Sequence, residues 1–155
     1  MIKLQFKQSI NASAQNVYET MLGLKDKRTY EYWVSVFNPT STYEGNWEKG
    51  STINFVGFDE FGKKGGLVAT IVEHQPAEFI SIKQLGIWAD PLNTSNSQSI
   101  EKLAGAHENY TFENNNGNTT VIVDLETLEE YLEFFQGTYP IALEKLKDIS
   151  ERELA

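Results

Sequence analysis

Cysteine is absent from this sequence of 155 residues, and histidine occurs only at positions 74 and 107. Without thiols there is no disulfide framework and no thiolate cage for zinc, and two imidazoles alone are left to ligate a metal. Neither a structural metal nor a cofactor is expected, and a reducing, cytoplasmic setting follows. Long apolar runs are missing too. No stretch approaches the ~18 residues of a membrane span, and the N-terminal MIKLQFKQSI alternates in polarity where a secretory signal would be continuously apolar. Basic residues are few, 13 against 22 acidic ones, for a net charge of −9. A field of that sign repels phosphate backbones and anionic headgroups, which argues against nucleic-acid binding and membrane attachment.

What is present reads as one domain spanning residues 1–155, long enough to bury a core unaided. Ile2, Leu4 and Phe6 alternate with Lys3, Gln5 and Lys7, the period of a half-buried strand over residues 2–9. Ser13 is placed to cap a helix carrying Val17, Tyr18, Met21 and Leu22 on one face and ending at Gly23. A second short helix is expected from Lys25 or Asp26 to Trp33, stopped by Asn38-Pro39. Strands then follow between turn residues: Thr42 to Trp47, Ser51 to Phe58, Gly65 to His74, Phe79 to Gly86, Glu108 to Glu113 and Thr119 to Glu126. The last two are joined by Asn114-Asn115-Asn116-Gly117, whose Asn-Gly step suits a tight hairpin. Residues 88–106 interrupt the series with a polar loop, Asn93 to Ser97, and a short helical spacing at Ile100, Leu103 and Ala104. A segment of this kind is either a lid or partly disordered.

The C-terminal stretch carries the strongest pattern. Leu128, Tyr131, Leu132, Phe135, Tyr139, Ala142, Leu143, Leu146 and Ile149 follow three-and-four spacing, predicting an amphipathic helix from about Thr127 to Ser150. Pro140 lies inside it and cannot donate to the Gln136 carbonyl, so a bend is expected there. The fold class is therefore α+β: a curved antiparallel sheet of about seven strands, two short helices, and a long C-terminal helix packed across the sheet.

That element order resembles the helix-grip, or START/Bet v 1-like, superfamily. Ile10-Asn11-Ala12-Ser13-Ala14 leading into Val17-Tyr18, the Trp33 region, Glu44-Gly45-Asn46-Trp47-Glu48-Lys49-Gly50, Val72-Glu73-His74-Gln75-Pro76 and Tyr139-Pro140-Ile141-Ala142-Leu143 are similar to its SRPBCC branch. That branch includes domains like the C-terminal domain of the Hsp90 activator Aha1. The resemblance covers nearly the whole chain and implies a hydrophobic cavity between sheet and long helix. It also implies three uses: binding a small apolar or amphipathic ligand, chaperone contact, or cyclase-, dehydratase- or hydrolase-type chemistry on an apolar substrate. Fold alone does not choose among them.

Trp33, Phe55, Trp88, Tyr110, Phe112, Tyr131, Phe135 and Tyr139 are the expected ligand-lining residues, with ordinary core packing as the alternative for each. Strand alternation allows only one of Phe55 and Phe58 to face inward, and Phe55 is favoured. Adjacent residues on a strand point to opposite faces, so His107 and Glu108 cannot act directly as a pair if the strand already begins there. His107 reads as a surface histidine, His74 as a turn residue, and Asp59, Glu60, Glu129, Glu130 and Glu133 as solvated charges. No nucleophile elbow, phosphate loop or metal-spaced histidine set occurs. No catalytic residue and no metal ligand is assigned.

Overall fold

Alternate burial along Ile2–Ile10 makes this segment β1, with Leu4 and Phe6 turned toward the core. The computed structural model describes residues 1–89 and 103–152. After β1 come helices α1 (Ala14–Leu22) and α2 (Lys27–Val34), then strands β2 (Thr42–Gly45), β3 (Thr52–Phe58), β4 (Lys64–Gln75), β5 (Phe79–Ala89), β6 (His107–Asn115) and β7 (Asn118–Thr127). A 3-10 turn (Glu129–Tyr131) leads into the terminal helix α3 (Leu132–Arg152). The seven strands form one antiparallel sheet in the order β1-β7-β6-β5-β4-β3-β2. Each strand from β2 to β7 follows its neighbour in sequence, and β1 closes the far side against β7, with Ile2 opposite Thr127.

Local chemistry sets the boundaries. Ser13 accepts a hydrogen bond from the amide of Asn16 and starts α1, while Gly23, at φ 68°, stops it in the left-handed region. Asp26 caps α2 by accepting from the Arg28 amide. The β6–β7 hairpin turns on Asn116 and Gly117, both at positive φ, as a two-residue connection requires. Two bulges bend the sheet: Val72 in β4 and Leu85 in β5 have no cross-strand partner, and both apolar side chains are exposed.

Two expected boundaries move. The C-terminal helix begins at Leu132 rather than near Thr127. Thr127 still pairs with Ile2 as the last residue of β7, and the 3-10 turn places Leu128 and Tyr131 three residues apart, the spacing read as helix. Its 21 residues span about 31 Å at ~1.5 Å each, and it packs closest to β1, α1 and α2, so the three helices cover the sheet together. Pro140 and Gln136 are both on the exposed side, where water can satisfy the carbonyl that proline leaves without its helical partner. Helix α2 ends at Val34, before Asn38-Pro39, because the amides of Phe37 and Asn38 fold back onto the Val34 carbonyl in a turn. In the interrupting segment, Leu103 to Gly105 form a turn held to Gln84, and the expected polar loop and the start of the short helix lie outside the described residues.

Candidate functional site

The three tryptophan and tyrosine donors nearest α1 do one job together. Trp33 Nε1 donates to the Met21 carbonyl at 2.8 Å, and Tyr43 Oη and Trp47 Nε1 donate to the Leu22 carbonyl at 3.0 and 3.1 Å. Carbonyls at a helix C-terminus lack intrahelical partners, and here buried aromatic rings satisfy them. The rings are thereby fixed in place, and Tyr30 packs edge-on to Trp33, Tyr43 and Trp47. Tyr30 and Trp33 of this cluster belong to one wall of a cavity of about 480 Å³, with Tyr43 and Trp47 packed against Tyr30.

Tyr30, Trp33 and Val34 of α2, with Phe37, Asn38 and Ser41 of the loop that follows, form that wall. Phe55 to Phe58 of β3 and Gly65 to Leu67 of β4 form the floor at one end, and Glu108, Tyr110 and Leu125 of β6 and β7 at the other. Phe135 and Tyr139 of α3 line it from above, and it remains partly open to solvent. Asn38 holds the α2–β2 loop against β3, accepting from the Thr40 amide at 2.8 Å and donating to the Phe58 carbonyl at 3.1 Å.

Across the inner face of the sheet, register aligns Leu4, Leu125, Glu108, Ile82 and Ile71 in one row. Glu108 is the sole polar member of that row, and its side chain reaches into the cavity. Tyr139 Oη donates to Glu108 Oε2 at 2.5 Å, and Tyr110 Oη approaches Oε1 at 3.5 Å, a weak contact. Part of the glutamate surface remains accessible because it faces the cavity, while protein atoms surround it on the other sides. Burial raises its carboxyl above the ordinary value, against the opposing pull of the two phenol hydrogen bonds. Burial, then the Glu108 charge, pushes the phenols of Tyr30, Tyr110 and Tyr139 well up, so all three stay neutral. One pleat along β5, Gln84 also lines the cavity, and its buried Oε1 has no hydrogen-bond partner among the described residues.

Of the eight residues expected to line a pocket, Trp33, Phe55, Tyr110, Phe135 and Tyr139 meet at this cavity. Phe112 does not: it lies further along β6, where Tyr18 of α1 packs edge-on against it and fills the space. Tyr131 sits half-buried in the 3-10 turn, ahead of the helix that lines the cavity from above. Trp88 stands opposite Gly66 on β5, and its side chain lies outside the described residues. Phe55 packs into the core against Tyr30 and Trp47, whereas Phe58 is largely exposed at the rim. The alternation of β6 puts Glu108 in phase with the buried Tyr110 and Phe112, the one signal in the sequence that points it inward.

Neither histidine serves the cavity. His74 Nδ1 lies 2.6 Å from the Trp47 carbonyl and must donate to it, so Nε2 accepts from Tyr18 Oη at 2.6 Å. His107 turns to the other side of β6 and meets Glu126 at 3.1 Å, and its amide with that ring holds the Glu126 carboxyl below the usual range. No group of three or more His, Asp or Glu among the described residues could hold a metal ion.

A seven-stranded curved antiparallel sheet covered by two short helices and a long terminal one defines an α+β fold of helix-grip type. No protein-family model matches the sequence, and no curated protein matches it. Solved structures do match it over nearly its whole length. Protein MLL2253 of Mesorhizobium loti superposes with a TM-score of 0.71 at 10% identity, covering 97% of this chain and 98% of that one. The Aha1 dimer of Colwellia psychrerythraea gives 0.65 at 17% identity, covering 96% and 95%. DynU16, from the dynemicin biosynthetic locus, gives 0.65 at 11% identity, and the match covers 96% of this chain and 47% of DynU16. These likenesses establish the fold. No helix among the described residues is long and apolar enough to cross a membrane.

Proposed function

We propose that this domain binds a small apolar or amphipathic ligand in the cavity between sheet and helices. One observation carries the reading: about 480 Å³ of space is walled by fixed aromatic rings, with a carboxyl group and an unpartnered amide oxygen facing it. That volume falls within the roughly 300–1,000 Å³ of small-molecule sites, which combine apolar walls with a few placed polar groups. Trp33 is already committed to helix α1 and Tyr139 to Glu108, so the walls contribute surface and the polar groups set orientation.

Titration with the neutral dye Nile red, alongside native mass spectrometry of freshly purified protein, tests this. Wild type should bind one equivalent. Leu67→Trp, which puts a larger side chain on the inward face beside Phe55 in the cavity floor, should bind at least about tenfold more weakly, on the order of 1.4 kcal/mol, with unchanged circular dichroism. Equal binding by the two proteins would overturn the proposal.

A second use of the same site is favoured by the position of Glu108, 2.5 Å from one phenol oxygen and 3.5 Å from another. A carboxyl group raised by burial can take up and return a proton, the requirement for acid–base chemistry on an apolar substrate. Chemical alteration of a co-purified ligand on incubation with wild type but not with Glu108→Gln would establish that use.

A further inference from the structure

Resting on the ligand-binding reading above, the geometry points to a ligand of one charge type: an apolar body ending in a protonated amine, with the ammonium group held between Glu108 and the faces of the surrounding aromatic rings. The charged side chains around the cavity narrow the choice. Asp59 is occupied at the β3–β4 turn, where its Oδ1 accepts from the amides of Phe61 and Lys63, both at 2.9 Å. Lys63 lies at the same exposed turn, and Glu126 is engaged by His107. Glu108 is left as the charge at depth, in an otherwise apolar row of the sheet.

Its partners do not neutralise it. Tyr139 and Tyr110 offer hydrogen bonds but no positive charge, and no cation is paired with Glu108 among the described residues. Gln84 Oε1 supplies a second buried acceptor on the neighbouring strand. Two acceptors and the electron-rich faces of Tyr30, Trp33 and Phe55 suit a donor that carries positive charge, and they disfavour a carboxylate or phosphate. The net charge of −9 adds a long-range attraction of the same sign.

Decylammonium, decanol and decanoate share one apolar body and differ in the end group. Calorimetric titration of the three at pH 7, below micelle formation, should rank them in that order, with decylammonium about tenfold tighter than decanol. Lowering the pH should weaken the amine selectively as Glu108 takes up its proton. The groups that face Glu108 are the phenols of Tyr30, Tyr110 and Tyr139, neutral throughout, with Asp59, Lys63 and Glu126 further along the cavity. Glu108→Gln should abolish the preference for amine over alcohol, with circular dichroism like that of wild type. Tyr139→Phe, which removes a bond that favours the carboxylate, should keep the preference but move its loss to higher pH. Decanoate binding as tightly as decylammonium, or a preference unchanged in Glu108→Gln, would overturn the charge assignment and leave the cavity reading standing. Binding of neither Nile red nor any of the three would overturn both.

Discussion

Glu108 is a group that folding disfavours in its charged form. Its carboxyl is raised in the folded protein by burial, so the native state holds the proton more tightly than the unfolded chain does. The neutral form carries no penalty below the unfolded value of about 4.3. As pH rises through the higher folded value the charge appears in an apolar row and stability is lost. Glu108→Gln should therefore resist urea better than wild type at pH 7, by on the order of 1 kcal/mol, and the gap should close near pH 4. Glu126 and Glu151 titrate in the opposite sense in both proteins, since their lowered values give stability that disappears as pH falls. The difference between the two proteins isolates Glu108. The residue was legible by phase, standing two positions before Tyr110 and four before Phe112. Its acidity argued for solvent, and only the register that lays it beside Leu125 and Ile82 places it inside.

At the level of strands and helices, the periodic patterns located every strand and both short helices, and they failed at ends. Thr127 continues the buried alternation of β7, but its neighbours Leu128 and Tyr131 also satisfy helical spacing, and sequence alone cannot separate the two. One constraint had no local signature. A Cβ on Gly66 would collide with the Phe55 carbonyl oxygen, because β3 presses against β4 where the cavity floor begins. Gly66→Ala should cost about 3 kcal/mol or more, read as a lower urea midpoint, since backbone must move to admit the methyl. Gly137→Ala in α3 meets nothing within 4 Å and should instead stabilise by about 0.5–1 kcal/mol. The aromatic cap on α1 was half legible: Trp33 and the stretch to Trp47 stood out in the sequence, but not that their polar atoms would be consumed by Met21 and Leu22 carbonyls.

For the molecule as a whole, the sheet order makes closure a long-range event. Strands β2 to β7 pair with sequence neighbours, whereas Ile2 meets Thr127 and Ile10 meets Thr119. Long loops must close before such contacts form, which slows them relative to hairpins. Leu4→Ala in β1 should therefore act chiefly by speeding unfolding, while Val121→Ala in the β6–β7 hairpin should slow folding, as read from the two arms of a stopped-flow chevron. During synthesis the same order has a further effect. Until residues 118–127 have left the ribosome, β1 has no strand to pair with, and Ile2, Leu4 and Phe6 form an unprotected apolar ribbon on the nascent chain. Lys3 and Lys7, on its opposite side, then act as a guard against pairing with another polypeptide, and they keep that role on the outer edge of β1, which still ends the sheet after β7 arrives.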